Sequence, residues 1–223
     1  MKIVFLPGLD GTGELFALLL EHLDSTLEVE IISYDTQKTQ SYNELIEYVL
    51  TKLPADDFIL LAESFSGYIG YKIALKNLPN LKHLIVVATF LKNPRPILLN
   101  FIPSKYIFLL PLPKFIIKKF FLGSRVSKKT LNLFQRTIKA LPPKILDFRL
   151  QQIKKLQLPQ ESISIPTSYI QVKNDKLVLK NSLKDWEKVS LNLEVYQVEG
   201  NHLILQSHPK ECAKIINSIV KKV

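Results

Sequence analysis

The segment Ala62-Glu63-Ser64-Phe65-Ser66-Gly67 follows directly on the apolar run Phe58-Ile59-Leu60-Leu61. It constrains the fold more than any other stretch, because it reads as a strand, an abrupt turn and a helix, with a serine at the turn. Such an elbow presents a serine hydroxyl only where the residues two positions to either side are small, since strand and helix come close together there. Ala62 and Ser66 meet that need around Ser64. With Ser66 at the apex, the second small position would fall on Tyr68, whose ring should clash. Ser64 is therefore the expected nucleophile. A plain turn with a helix-capping serine would look much the same in these six residues, so the rest of the chain has to decide.

Hydrophobic period and turn residues predict strands over Lys2–Leu6, Glu28–Ser33, Phe58–Ala62, His83–Ala88, Ser168–Val172 and Leu193–Val198. Helical patterns over Gly13–Leu23, Tyr42–Leu53, Ser64–Leu78, Lys180–Val189 and Pro209–Val220 alternate with them. The third to fifth strands are largely apolar, as in a parallel sheet buried on both faces. This predicts an α/β fold with a doubly wound, mostly parallel six-stranded sheet. Residues 1–91 and 161–223 form the expected core. Residues 92–160 break the rhythm with prolines, aromatic residues and lysines, and are expected to form an inserted helical cap.

That insert carries fifteen basic residues against one acid, Asp147, while the whole chain has a net charge of +10. The remainder is thus slightly acidic. The apolar stretch Ile97–Leu122 is interrupted by Lys105, Lys114, Lys118 and Lys119 and by three prolines, so a membrane span is not expected. The opening run Met1–Leu6 is too short for a signal-peptide core and is followed by Pro7-Gly8. With Cys212 as the single cysteine, no internal disulfide can form. The expected location is cytoplasmic, with peripheral attachment to a membrane left open.

A serine hydroxyl needs an imidazole to take its proton and a carboxylate to orient that imidazole. In a doubly wound sheet these groups belong on loops at the carboxyl ends of later strands. The fifth strand is followed by Lys173-Asn174-Asp175, and the sixth by Glu199-Gly200-Asn201-His202. Asp175 and His202 therefore complete the order Ser, Asp, His. The other histidines, His22, His83 and His208, read most simply as surface or capping residues. Charge that develops on a tetrahedral intermediate calls for two backbone N–H donors. Phe65, which follows Ser64, offers one. The loop Leu6-Pro7-Gly8-Leu9-Asp10-Gly11-Thr12-Gly13 offers the other, expected at Leu9. That loop has neither a dinucleotide-binding nor a Walker pattern, and no cofactor or metal site is expected.

These four motifs, at 6–13, 63–67, 174–178 and 200–206, resemble those of the α/β-hydrolase superfamily, in particular small bacterial serine esterases and acyl thioesterases. The resemblance covers the core and not the insert. It implies Ser64 as nucleophile, Asp175 as acid, His202 as base, and Leu9 and Phe65 as oxyanion donors. The superfamily's first two strands have no counterpart here, and its frequent His-Gly at the oxyanion turn is Pro7-Gly8. The expected activity is hydrolysis of carboxylic esters or thioesters with an apolar acyl group, with acyl transfer on the same triad, or ligand sensing without turnover, as alternatives. The basic insert reads either as a solvated face or as a docking surface for an anionic partner, such as an acyl carrier, coenzyme A phosphates or an acidic lipid surface. Nucleic acid fits the charge, but no recognition motif for it is present.

Overall fold

The computed structural model describes residues 1–97, 113–124 and 126–223. Six strands form one sheet: β1 (Lys2–Leu6), β2 (Glu28–Ile31), β3 (Phe58–Glu63), β4 (Leu81–Val87), β5 (Thr167–Val172) and β6 (Leu193–Val198). Their order is β2-β1-β3-β4-β5-β6, and each neighbouring pair is parallel. Parallel neighbours cannot be joined by tight hairpins, so the connections cross over the faces of the sheet, and helices fill them.

The two-residue period of the strands separates the core into two layers. Val4, Leu6, Leu60, Ala62, Leu84 and Val86 pack with the apolar sides of α2 (Tyr42–Leu50), α3 (Gly67–Ala74) and α7 (Asn181–Val189). Ile3, Phe5, Ile59, Leu61, Ile85 and Val87 pack with α1 (Ala17–Leu20), α8 (Ile204–Ser207) and α9 (Pro209–Val220). Helix α1 continues a 3₁₀ turn over Glu14–Phe16. Helix α2 starts on a capping box, in which Ser41 Oγ accepts the Glu44 N–H and Glu44 Oε2 accepts the Ser41 N–H.

Between β4 and β5 lie α4 (Lys114–Ile116), which runs into a π-helical turn over Ile117–Leu122, then α5 (Lys128–Ala140) and α6 (Pro143–Lys155). Ile117, Leu122, Leu131 and Phe134 from this segment gather around Leu15 and Leu203, which follow β1 and β6. The insert therefore packs against loops at the carboxyl end of the sheet. Among the described residues no helix is long and apolar enough to cross a membrane.

His83 departs from the sequence reading. The strand opens two residues earlier, at Leu81, so His83 lies inside β4 and is buried, with Nε2 2.9 Å from Ser168 Oγ on β5. Its hydrogen bond to a neighbouring strand makes it an interior residue.

Candidate active site

Strand β3 ends at Glu63, and Ser64 adopts a φ of 49° before the chain enters a 3₁₀ turn and then α3. A side chain in the left-handed region costs about 1–3 kcal/mol and persists only where its surroundings enforce it. They do so here. Thr89 Oγ1, just past β4, donates to the Ser64 carbonyl at 2.6 Å, and the Tyr169 hydroxyl donates to the Thr89 carbonyl at 2.9 Å. The close approach of helix to sheet depends on Ala62, Gly67 and Gly70. A Cβ on Gly67 would lie 1.6 Å from Thr89 Oγ1, and one on Gly70 would lie 3.0 Å from Ala62 Cβ. Ser66, expected as the second small neighbour, is wholly buried and has polar partners of its own.

The three side chains singled out in the sequence meet. Ser64 Oγ is 2.8 Å from His202 Nε2, and His202 Nδ1 is 2.7 Å from Asp175 Oδ2. The other Asp175 oxygen accepts the N–H groups of Leu177 and Val178 at 2.8 and 2.9 Å, which fixes the carboxylate plane. A carboxylate only accepts, so Nδ1 must carry the proton and Nε2 is left free to take one from Ser64. Burial favours neutral imidazole, but the charge of Asp175, its hydrogen bond and the charge of Glu63 outweigh this and raise the His202 pKa above its ordinary value. The loop around His202 is held from the insert. Leu203 N–H donates to the Phe121 carbonyl at 2.8 Å, and Asn201 Nδ2 donates to that of Lys119 at 3.1 Å.

Glu63 was missed by the sequence reading. Its carboxyl is buried next to Ser64, where burial pushes its pKa up to about 7. Gln206 Nε2 donates to its Oε1 at 3.0 Å, which favours the charged form, while the nearby Asp10 opposes ionisation. A carboxylate closing an otherwise apolar strand, directly before the turn serine, is the available signal.

The glycine loop lies against this assembly. A Cβ on Gly8 would be 3.8 Å from Ser64 Cβ and 3.7 Å from carboxylate oxygens of Asp10 and Glu63. The loop closes as a turn, with the Gly11 N–H donating to the Gly8 carbonyl at 3.1 Å. It is anchored at Pro7, whose carbonyl accepts the Ser66 hydroxyl, and at Gly11, whose carbonyl accepts the Tyr34 N–H at 2.7 Å. Neither the Leu9 nor the Phe65 N–H is taken up by an acceptor among the described residues.

The lysines of the basic insert differ in their surroundings. Lys114, Lys119 and Lys128 are exposed and Lys118 is half-buried, whereas Lys129 Nζ is paired with Glu21 at 2.8 Å. Residues 98–112, most of the first part of the apolar stretch Ile97–Leu122, and Arg125 lie outside the described residues. A cleft of about 480 Å³ between α1 and α5 is lined by Leu18, Glu21, Lys129 and Leu133 among others, and contains none of Ser64, Asp175 or His202. Among the described residues no cluster of three or more His, Cys, Asp or Glu side chains could hold a metal ion.

No protein-family model matches the chain, and no curated protein matches it in sequence. Solved structures match it over nearly its whole length. A lipase-esterase related protein from Clostridium acetobutylicum ATCC 824 has a TM-score of 0.80 at 19% identity, covering 97% of this chain and 93% of its own. An alpha/beta hydrolase fold protein from Chitinophaga pinensis has a TM-score of 0.77 at 16% identity, covering 100% and 90%. The fold is that of the α/β hydrolases. The RedJ thioesterase of the prodiginine biosynthetic pathway in Streptomyces coelicolor shares it, with a TM-score of 0.71 at 18% identity, covering 100% of this chain and 90% of its own.

Proposed function

We propose that the protein hydrolyses carboxylic esters or thioesters with an apolar acyl group through an acyl-enzyme on Ser64. The observation that carries this reading is the buried chain from Ser64 Oγ through His202 to Asp175, with links of 2.8 and 2.7 Å. Ser64 attacks the acyl carbonyl while His202 Nε2 takes its proton, and Asp175 stabilises the imidazolium that results. The Leu9 and Phe65 N–H groups receive the developing oxyanion. His202 then returns the proton to the departing alkoxide or thiolate, and a water activated by the same imidazole releases the acid. The named neighbours include an esterase-related protein and a thioesterase, which supports the same class of chemistry.

The apolar acyl group is assigned to the cap, residues 92–160, on the strength of Ile117 and Leu122 packed beside Leu203. The exposed lysines of that segment are assigned an anionic partner, either an acyl carrier or an acidic lipid surface. A fluorophosphonate probe together with a panel of p-nitrophenyl esters and acyl thioesters tests the core of the proposal. Wild-type protein should be modified at Ser64 and should show saturable turnover, and Ser64→Ala should show neither. Turnover that survives Ser64→Ala would overturn it.

A further inference from the structure

One side chain of α6 reaches out of the insert and into the loop after β1. Arg149 is 2% exposed, and its Nη1 donates to the carbonyl oxygens of Leu9 at 2.9 Å and Asp10 at 2.7 Å. Nη2 donates to the carbonyl of Asp35 at 3.2 Å, and the guanidinium carbon lies 5.6 Å from the centre of the Tyr34 ring. Arg149 forms no salt bridge among the described residues; its hydrogen-bond partners there are main-chain oxygens. A buried guanidinium is costly unless its N–H groups are satisfied, so its worth here lies in the geometry it enforces.

That geometry concerns the Leu9 amide. Two successive carbonyls that converge on one nitrogen fix the peptide planes on either side of Asp10. The preceding plane, between Gly8 and Leu9, is set by the Gly11 N–H that bonds the Gly8 carbonyl. In a trans peptide the N–H points away from its C=O, so with the Gly8 oxygen turned into the turn, the Leu9 N–H is directed out of it. Gly11 makes room for the clamp. A Cβ there would lie 2.4 Å from Arg149 Nη1.

We propose that Arg149 is a positioning residue that sets the aim of the Leu9 N–H, so that docking of the insert and stabilisation of the oxyanion are linked. The inference rests on the hydrolase reading above, which gives Leu9 its role. An oxyanion donor gains strength as charge develops, so its loss appears in kcat and not in KM. Losing such a donor outright lowers kcat by about 10²–10³, and a misplacement of about 1 Å can cost a comparable factor.

The test compares Arg149→Met, Arg149→Ala and Arg149→Lys in the full chain, with p-nitrophenyl butyrate as substrate and an alkyl trifluoromethyl ketone as inhibitor. Addition of Ser64 Oγ to the ketone, with its proton passing to His202, leaves a tetrahedral oxyanion and so probes the same donors. In Arg149→Met, kcat should fall about 100-fold with KM within about threefold of wild type, and the ketone Ki should rise in step with the loss in kcat/KM. Millimolar guanidinium chloride should restore part of the kcat of Arg149→Ala. Arg149→Lys keeps the charge but not the fork and should share the kcat defect, which provides a reading if the other variants do not fold. Wild-type kcat and Ki in a folded variant, or a loss confined to KM, would overturn the proposal. Undiminished turnover in Ser64→Ala would instead remove the hydrolase reading itself.

Discussion

Ser66 donates its hydroxyl proton to the carbonyl of Pro7 and so ties the helix side of the elbow to the loop on the other side of Ser64. The Tyr34 hydroxyl lies 2.5 Å from the same Ser66 oxygen. In Ser66→Ala two buried polar groups lose their partner, at a cost of about 1–3 kcal/mol. The variant should unfold at lower urea concentration and turn over roughly tenfold more slowly, since a looser Pro7 lets the neighbouring donor drift. A fluorophosphonate should still modify Ser64. Peptide mapping that finds the label only when Ser66 is present would transfer the nucleophile to that residue.

Asp175→Asn should lower kcat by about 10⁴, because an amide can donate to His202 Nδ1 and stabilise the wrong tautomer. The asparagine oxygen can still accept the Leu177 and Val178 N–H groups that Asp175 takes now, so the fold should survive. Circular dichroism with steady-state kinetics separates the two effects. His202→Ala should abolish turnover. Wild-type kinetics in Asp175→Asn would place the acid elsewhere, with Glu199 the next carboxylate to test.

Turnover requires neutral His202, so kcat/KM should rise with pH through a pKa above the ordinary histidine value. Glu63→Gln removes one of the charges that raise that pKa, and the rising limb should move to lower pH. The same substitution bears on stability. The folded-state pKa of Glu63, about 7, lies above its ordinary 4.5, so its contribution is fully present below pH 4.5 and is lost as pH rises to 7. Relative to Glu63→Gln, the wild type should lose about 3 kcal/mol over that window. Urea titrations of both proteins at pH 4.5 and 8 measure the difference, and a constant gap would contradict it.

Turnover of an anionic long-chain thioester should fall with added salt, while turnover of a neutral short-chain ester should change little, if the basic insert attracts the substrate. The screening length of about 8 Å at physiological ionic strength sets the scale. Replacing Lys114, Lys118, Lys119 and Lys128 with glutamine should reproduce the salt effect at low ionic strength. Lys129→Gln should contribute less, because its charge is already paired with Glu21. Equal responses of both substrates would reduce the insert to a solvated face.

The six strands, and the loops that carry Asp175 and His202, were legible because runs of strand length, largely apolar in the middle of the sheet and alternating at its edges in β2 and β6, ended in polar turn residues. Arg149 was not legible. It is one of fifteen basic residues in a segment with weak punctuation, and its role depends on carbonyls about 140 positions earlier. Ser66 was read by size alone, since its partners Pro7 and Tyr34 are distant in sequence. His83 was misread because the register of β4 against β5, and not any local pattern, sets its bond to Ser168.

Ser64 and His202 are 138 residues apart, and β6, the strand that delivers His202, has β5 as its sole neighbour in the sheet. The pair therefore comes together only once β5 has joined β4, whose His83 and Ser168 are 85 residues apart, and β6 has joined β5, and a pairing of that range carries a large loop-closure entropy and forms slowly. Regain of turnover after dilution from urea should thus follow a later phase than recovery of helical signal. For a chain still emerging from the ribosome, the elbow at Ser64 would exist well before its proposed base, which would leave the serine chemically silent until the segment carrying His202 has emerged and folded.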